Sequence, residues 1–320
     1  MGEGVPRRGE PAVTTLWGVL VTYRREALLA DTLARIADQS RPPDQLVVVD
    51  NGSDPRVRTA AGRAGAVYID AGDNLGPAGG IALGMDFVLE RAGDDDWLML
   101  FDDDDPPETS EAVEEVLAFA QTCLATSPRT AAVGLVGARY DRSRGRVERV
   151  PDDELSGPVE VDYIGGGQLP VYRCAALRDV GVFDTSLFFG FDDLEHGLRL
   201  RRAGYSLFVD GGPWLERRRR HGRTGATRSG LRSASPPWRT YYSARNLALI
   251  AREHASGAAS WRVAVHGALA GAAAATRPGG GVAGATAALR GAGDALLGRR
   301  GRRVEPVVVS KDVVVTCGES

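Results

Sequence analysis

Four short apolar runs, each closing on a polar or glycine-bearing turn, constrain this chain more than any other feature. They are "LWGVLVTY" at 16–23, "LVVV" at 46–49, "AVYIDAG" at 66–72 and "DWLMLF" at 96–101. Short apolar runs bounded by turn residues read as buried strands, and apolar residues three and four apart as one face of a helix. That helical spacing occurs in "REALLADTLARIADQS" after the first run and in "GGIALGMDFVLERA" between the third and fourth. The resulting β-α-β-α order implies a single doubly wound, mainly parallel sheet. Ligands of such sheets bind at the carboxyl ends of the strands, where Asp50, Asn74 and the four aspartates at 102–105 all fall.

The pattern continues with an amphipathic helix at 110–125, a strand over "AAVGLVGARYD" at 131–141 and a charged, irregular connection at 142–158. A helix is expected from Asp192 to Ala203, stopped by Gly204 and followed by a strand, and another over 238–254. Beyond about residue 256 the composition shifts to Ala, Gly and Arg, with "TRPGGG" separating two weak helical stretches. A hydrophobic share of 43%, a charged share of 25% and a net charge of −3 give no global bias toward nucleic acid. The cysteines, Cys123, Cys174 and Cys317, show no CxxC spacing, so neither a disulfide framework nor a zinc knuckle is indicated and the cytoplasm is favoured. The polar N-terminus lacks the apolar core of a secretory signal, and no run of eighteen apolar residues marks a spanning helix. Attachment to a membrane surface stays open.

Several groups could carry chemistry. An Asp-x-Asp at a strand end, here Asp102 and Asp104, can place two carboxylates where Mg²⁺ or Mn²⁺ bridges them to a diphosphate; the alternative is a solvated acidic turn. Asp103 and Asp105 leave the register open by one residue. The glycine-rich "DNLGPAGGIALG" lets backbone approach a phosphate or sugar closely, or forms a packing turn. Asp50 could accept a hydrogen bond from a base or ribose, or could simply form the turn. In "FFGFDDLEHGL", Asp192 and Asp193 are either acids favoured by a helix N-terminus or, beside aromatic residues, a pocket with one carboxylate as base. His196 is expected on the helix surface. "RRRRHGR" at 217–223 suggests local phosphate binding or contact with anionic lipid.

Taken in order, "VTYRR", "VVVDNGSD", "NLGPAGG", "LFDDDDPP", "GGGQLPVYR", "VGVFDTSLFFGFDDLEHGLRLRRAGY" and His221 resemble the inverting GT-A glycosyltransferases of family 2. The resemblance covers roughly residues 16–249. Asn74–Gly80, Phe191–Glu195 and "YYSARN" at 241–246 are most similar to bacterial galactofuranosyl- and rhamnosyltransferases. It implies an α/β GT-A (nucleotide-diphospho-sugar transferase) fold with a helical C-terminal extension. It also implies a flexible stretch at 1–15, a transferase domain at 16–255 and an Ala/Gly/Arg-rich extension at 256–320. Within that domain, 16–105 would bind the nucleotide sugar and 106–255 would hold the acceptor and catalytic half.

By the same resemblance, Thr22, Tyr23, Arg24, Asp50, Asn74, Gly76, Gly79, Gly80 and Asp103 would contact the donor, a UDP- or dTDP-sugar. Asp102, Asp104 and His221 would hold Mg²⁺ or Mn²⁺. Asp193 would be the catalytic base with Asp192 beside it, and Gly166, Gly167 and Glu195 would face the acceptor, a glycan, lipid-linked or small molecule. Phe191 stands where related galactofuranosyltransferases often carry Trp. No nucleic-acid partner is expected; peripheral membrane contact, on the inner face of the plasma membrane, and a homo-oligomer are. Two other classes remain. A nucleotidyltransferase would bring a Gly-rich, Arg/Lys-bearing loop directly after the first strand, where this chain has "TYRREALL"; a non-catalytic sugar-nucleotide-binding subunit would show damaged acidic motifs, and both acidic groups are intact.

Overall fold

The computed structural model describes residues 14–165, 169–225, 236–255, 257–275 and 281–306. Its first half winds β1 (Leu16–Thr22), α1 (Glu26–Ala37), β2 (Gln45–Asp50), α2 (Pro55–Arg63), β3 (Val67–Asp70), α3 (Gly76–Leu89) and β4 (Trp97–Asp102). After α4 (Ala112–Thr126) come β5 (Thr130–Gly134), β6 (Gly137–Asp141), β7 (Arg146–Glu148), β8 (Pro158–Val161), β9 (Tyr163–Ile164) and β10 (Val171–Arg173). The remainder is α5 (Cys174–Val180), α6 (Asp192–Arg202), β11 (Ser206–Asp210), α7 (Gly211–Arg220), α8 (Pro237–His254), α9 (Gly257–Ala275) and α10 (Val282–Leu296).

Eight strands form one sheet in the order β3-β2-β1-β4-β10-β5-β11-β8. The run β3-β2-β1-β4 is parallel throughout, β5 and β11 are parallel to each other, and β10 and β8 run against their neighbours. Side chains alternate across a strand, so β1 sends Val19 to one face and Leu16 and Leu20 to the other. Val19 joins Val47, Val49, Met85 and Val88, while Leu20 joins Leu29, Leu33, Ile36, Val48 and Met99. Both faces of the sheet are thus covered by helices, as continuous apolar strands require.

Three local expectations need correction. α2 was not expected, because only Val57 and Ala61 are buried on it; Pro55 in its first turn and Asp54, whose side chain accepts from Arg56 N at 2.8 Å, start it instead. The strand expected at 131–141 is two strands, β5 in the main sheet and β6 in a three-stranded sheet with β7 and β9. Residues 142–158 accordingly contain the hairpin strand β7 rather than being wholly irregular.

α8, α9 and α10 pack on one another, and Tyr241 donates from its hydroxyl to Asp294 Oδ2 at 2.7 Å. The chain leaving α10 then straps back over the domain. Arg300 pairs with Asp184 and Glu253, Gly301 N donates to Ser186 O at 2.6 Å, and Arg302 Nη1 donates to Asp73 Oδ1 at 3.0 Å and to Asn74 O at 3.1 Å.

Candidate active site at the carboxyl edge of the sheet

β4 ends on Asp102, and the next two residues diverge. Asp103 turns inward, 4% exposed, where its Oδ2 accepts from Thr22 Oγ1 at 2.8 Å and its Oδ1 from Arg25 Nη1 at 2.9 Å. Its carbonyl also accepts from Thr32 Oγ1 at 3.0 Å. Asp102 is half-buried, and Asp104 is exposed and paired with the same Arg25. One potential ligand oxygen from each of the three lies within 4.8 Å of the others. Burial, then the neighbouring charges of Asp104 and Asp103, push the Asp102 carboxyl up to about 6. Such a crowd of carboxylates fits a divalent cation, because the added charge relieves the repulsion that otherwise favours a retained proton. Arg25 engages both Asp103 and Asp104, while Thr22 bonds Asp103 alone.

The other strand ends are less open than their residue types suggest. Asp50 is fully buried, and its carboxylate accepts from Gly52 N at 2.7 Å, Asp54 N at 2.7 Å and Tyr68 Oη at 3.1 Å. It closes the β2 turn. Asn74 Oδ1 accepts from Gly76 N at 3.0 Å. Gly76 has φ +71°, and a β-carbon there would collide with Phe188; one at Gly79 would meet Leu75, and one at Gly80 would meet Val21 and Asn51. These glycines therefore seat α3 tightly on β1 and on the loop before α6. Thr22 is 1% exposed, Tyr23 half-buried and Arg24 exposed with φ +54°. Sequence reasoning singled out Arg24 of the "RR" pair, whereas Arg25 reaches the aspartates; the left-handed turn at Arg24 decides which, and no local signal marks it.

The second acidic group opens α6. Asp192 is 8% exposed, and burial followed by the charge of Asp193 raises its carboxyl. Asp193 is half-buried, with Oδ1 accepting from Leu194 N at 2.8 Å. The phenols of Tyr163 and Tyr172 are raised by burial and then by the nearby charge of Asp193. Glu195 is buried; burial alone would raise its carboxyl, but His254 and Arg199 hold it below the ordinary range, with Arg199 Nε at 2.8 Å from both oxygens. His196, expected at the surface, is fully buried between Tyr172 and Phe183. α6 is covered by α5 and β9 as well as β11, so it has no wide solvent face.

The loop leading to these acids is strained. Phe188, Gly190 and Phe191 have φ of +61°, +77° and +66°, left-handed values that L-residues avoid. Phe188 closes against Gly76, which brings the acid-bearing loop onto the N-terminus of α3. Beside this contact lies a cavity of about 490 Å³ bounded by Asp73, Asn74, Leu75, Phe188 and Arg302. Arg302 was not foreseen, because the strap that carries it is placed only by tertiary packing.

His221 is exposed at the end of α7, outside the cluster formed by Asp102, Asp103 and Asp104. The arginine run before it is occupied internally. Arg217 and Arg220 pair with Glu108, just beyond the aspartates, Arg219 pairs with Glu216, and Arg218 donates to Val150 O at 2.8 Å and stacks over Trp214. Gly166, Gly167 and Cys317 lie outside the described residues.

The family model for glycosyl transferase family 2 matches residues 19–177, a span that includes every strand-end group from Thr22 to Asp105. The galactofuranosyltransferase GlfT1 of Mycolicibacterium smegmatis is 34% identical over 198 residues, 58% of this chain and 65% of that protein. GlfT1 of Mycobacterium tuberculosis (strain H37Rv) is 33% identical over 203 residues, 59% of this chain and 66% of that protein. The chain thus spans just under two thirds of the length of these relatives. Among solved structures, the mannosyltransferase PcManGT from Pyrobaculum calidifontis in complex with GDP-Man and Mn²⁺ has a TM-score of 0.46 at 19% identity, covering 91% of this chain and 89% of that one. GalNAc-T7 with UDP, GalNAc and Mn²⁺ has a TM-score of 0.49 at 15% identity, covering 63% of this chain and 43% of that one. The α/β architecture expected from the sequence, one mainly parallel GT-A sheet with helices at the C-terminus, is the one observed. Over residues 19–177 the chain is thus similar to glycosyl transferase family 2.

Proposed function

We propose that this protein is an inverting, metal-dependent glycosyltransferase. It would move a hexose from a nucleoside-diphosphate sugar, UDP- or dTDP-linked, to a hydroxyl of a glycan, lipid-linked or small-molecule acceptor. The observation that carries the reading is the cluster at the end of β4, where one oxygen each of Asp102, Asp103 and Asp104 lies within 4.8 Å of the others; within it we take Asp102 and Asp104 as the metal-facing carboxylate pair. That pair would hold Mg²⁺ or Mn²⁺, which when bound neutralises charge on the leaving diphosphate. Asp193 would take the proton from the acceptor hydroxyl as its oxygen attacks the anomeric carbon, and the bond to the diphosphate oxygen breaks with inversion. Asp192, deeper and with its neutral form favoured, would limit the charge beside the base. Arg25 would balance the aspartates at the donor edge.

The identity to galactofuranosyltransferases supports galactofuranose ahead of rhamnose as the transferred sugar. Incubation with UDP-galactofuranose, dTDP-rhamnose and other sugar nucleotides plus Mn²⁺ tests the reading: release of free nucleoside diphosphate supports it. Release of pyrophosphate from a nucleoside triphosphate and a sugar phosphate would instead make the protein a nucleotidyltransferase. Binding without turnover across donors and acceptors would make it a binding subunit.

We place the protein in the cytoplasm, held peripherally at the membrane by its C-terminal helices. No helix among the described residues is long and apolar enough to cross a membrane. α9 exposes Trp261, Val265 and Leu269 at four-residue spacing, one apolar stripe, with Arg262 and His266 also exposed. Flotation with anionic vesicles at low salt tests this. Protein that stays at the bottom of the gradient, or a stripe covered by a second copy in sedimentation, overturns it.

A further inference from the structure

The left-handed residues before α6 require something to hold them, since each such non-glycine residue costs roughly 1–2 kcal/mol. The holding groups come from the middle of α8. Asn246 and Arg245 are both fully buried, and each sends a nitrogen to that loop. Asn246 Nδ2 donates toward three backbone carbonyls, Leu187 O at 3.1 Å, Phe189 O at 2.9 Å and Gly190 O at 2.9 Å. Its two N–H bonds are therefore shared among three acceptors that converge on one nitrogen. The amide cannot be reversed, because Oδ1 accepts from Arg245 Nε at 2.9 Å. Arg245 adds a bond from Nη2 to Leu187 O at 2.7 Å and one from Nη1 to Gly301 O at 2.5 Å, and its guanidinium lies 4.8 Å from the Tyr242 ring centroid.

We infer that Asn246, oriented by Arg245, is a positioning residue for the base at Asp193: it fixes the 187–190 carbonyls and so sets where the first turn of α6 begins. The inference rests on the proposed role of Asp193. Asn246 is fully buried, so it would act through the backbone carbonyls it bonds. Buried amides that accept and donate at once favour one geometry over its neighbours, because any other leaves polar groups unsatisfied. Loss of the amide releases the loop rather than the domain, since the sheet and its two apolar layers make no use of it.

The test is a double-mutant cycle on transfer rate, with Asn246→Ala, Asp193→Asn and the pair, each also measured for donor affinity and melting temperature. Asn246→Ala is expected to lower kcat by about ten- to a hundredfold, the scale of an ångström-sized misplacement, while donor affinity changes by less than about threefold. In the Asp193→Asn background the same substitution should have almost no further effect, because a positioning group has nothing left to position. Additive losses, or a loss confined to donor affinity or to melting temperature, overturn the inference. If Asp193→Asn alone retains its transfer rate, the assignment of the base fails, a result separate from the behaviour of Asn246. Should Asn246→Ala not accumulate as folded protein, the near-isosteric Asn246→Asp takes its place in the cycle. It keeps the contact with Arg245 and replaces the donors to the loop by a carboxylate oxygen that the three carbonyls repel.

Discussion

Gly76 offers a test in which backbone strain and steric collision can be separated. Both Gly76 and Gly65 have positive φ, +71° and +67°, but a β-carbon at Gly65 meets nothing within 4 Å. Gly65→Ala should therefore show the conformational cost alone, about 1–2 kcal/mol. At Gly76 the new carbon would stand 2.8 Å from the Phe188 ring Cδ2 and 2.9 Å from its carbonyl carbon, and closer still to the carbonyl oxygen. Ordinary carbon contacts lie at about 3.5–4.0 Å, so these atoms must retreat by roughly 0.6 Å or more. Overpacking of that kind adds about 1–3 kcal/mol, giving a total of about 2–5 kcal/mol for Gly76→Ala. At about 2–4 °C per kcal/mol, the melting temperature should fall several degrees further than for Gly65→Ala. The retreating atoms belong to the loop that delivers Asp192 and Asp193, so transfer should fall as well, by as much as about a hundredfold. Gly65→Ala should keep its turnover. Melting curves and initial rates of nucleoside diphosphate release, measured at a temperature where both variants are folded, decide the matter. Equal melting shifts, or full turnover in Gly76→Ala, would show that the contact with Phe188 does not constrain the acid loop.

Asp193→Asn should bind sugar nucleotide nearly as wild type yet transfer at least roughly a hundredfold more slowly, with Asp192→Asn milder; retention of most of the rate, or a loss explained wholly by weaker donor binding, refutes the assignment. Asp102→Asn and Asp104→Asn should each abolish metal-dependent transfer, whereas Asp103→Asn, which loosens contacts to Thr22 and Arg25, should lower the melting temperature as well; full activity in excess EDTA would remove the metal from the reading. His196 supplies a pH prediction. Burial, then the charge of Arg199, lowers its imidazole from 6.5 to about 4, and Nε2–H donates to Gly181 O at 3.0 Å while Nδ1 has no partner among the described residues. The folded state thus excludes a proton that the unfolded chain accepts, so this contribution is present above pH 6.5 and lost as pH falls toward 4, up to roughly 3 kcal/mol. His196→Gln should flatten the stability profile across that window, and an unchanged slope would show that other groups set it.

The parts of the fold legible in the sequence are those governed by local pattern. β1 to β4 and α1, α3 and α4 follow from apolar spacing and turn residues, and the carboxyl edge of the sheet follows from their alternation. α2 escaped because a helix with two buried residues has little periodicity to read. β5 and β6 merged because the bend at Leu135 and Val136 carries no breaker of its own. In the site, residue type placed the aspartates at a strand end, but not the bonds from Thr22 and Arg25 to Asp103. Asp50 and the arginine run show the converse limit: charge in a sequence does not reveal that Gly52, Asp54 and Tyr68, or Glu108 and Glu216, already engage it. Asn246 and Arg302 lie beyond local reasoning because their partners are tens to hundreds of residues away.

The strap that carries Arg302 bears on the order in which the molecule matures. Arg302 meets Asp73 across 229 positions of sequence, a closure whose entropic cost grows only slowly with length but whose formation is slow when contacts are so non-local. β1 to β4 can assemble from neighbouring segments, and nothing in them waits for the end of the chain. The two loops flanking the cleft are different: Asp73 and Asn74 on one side and Ser186 on the other are joined by the strap. Until α10 docks and residues 300–302 cross between them, the sheet is a finished platform with an unfinished edge. Closure of that edge is therefore expected to follow formation of the sheet.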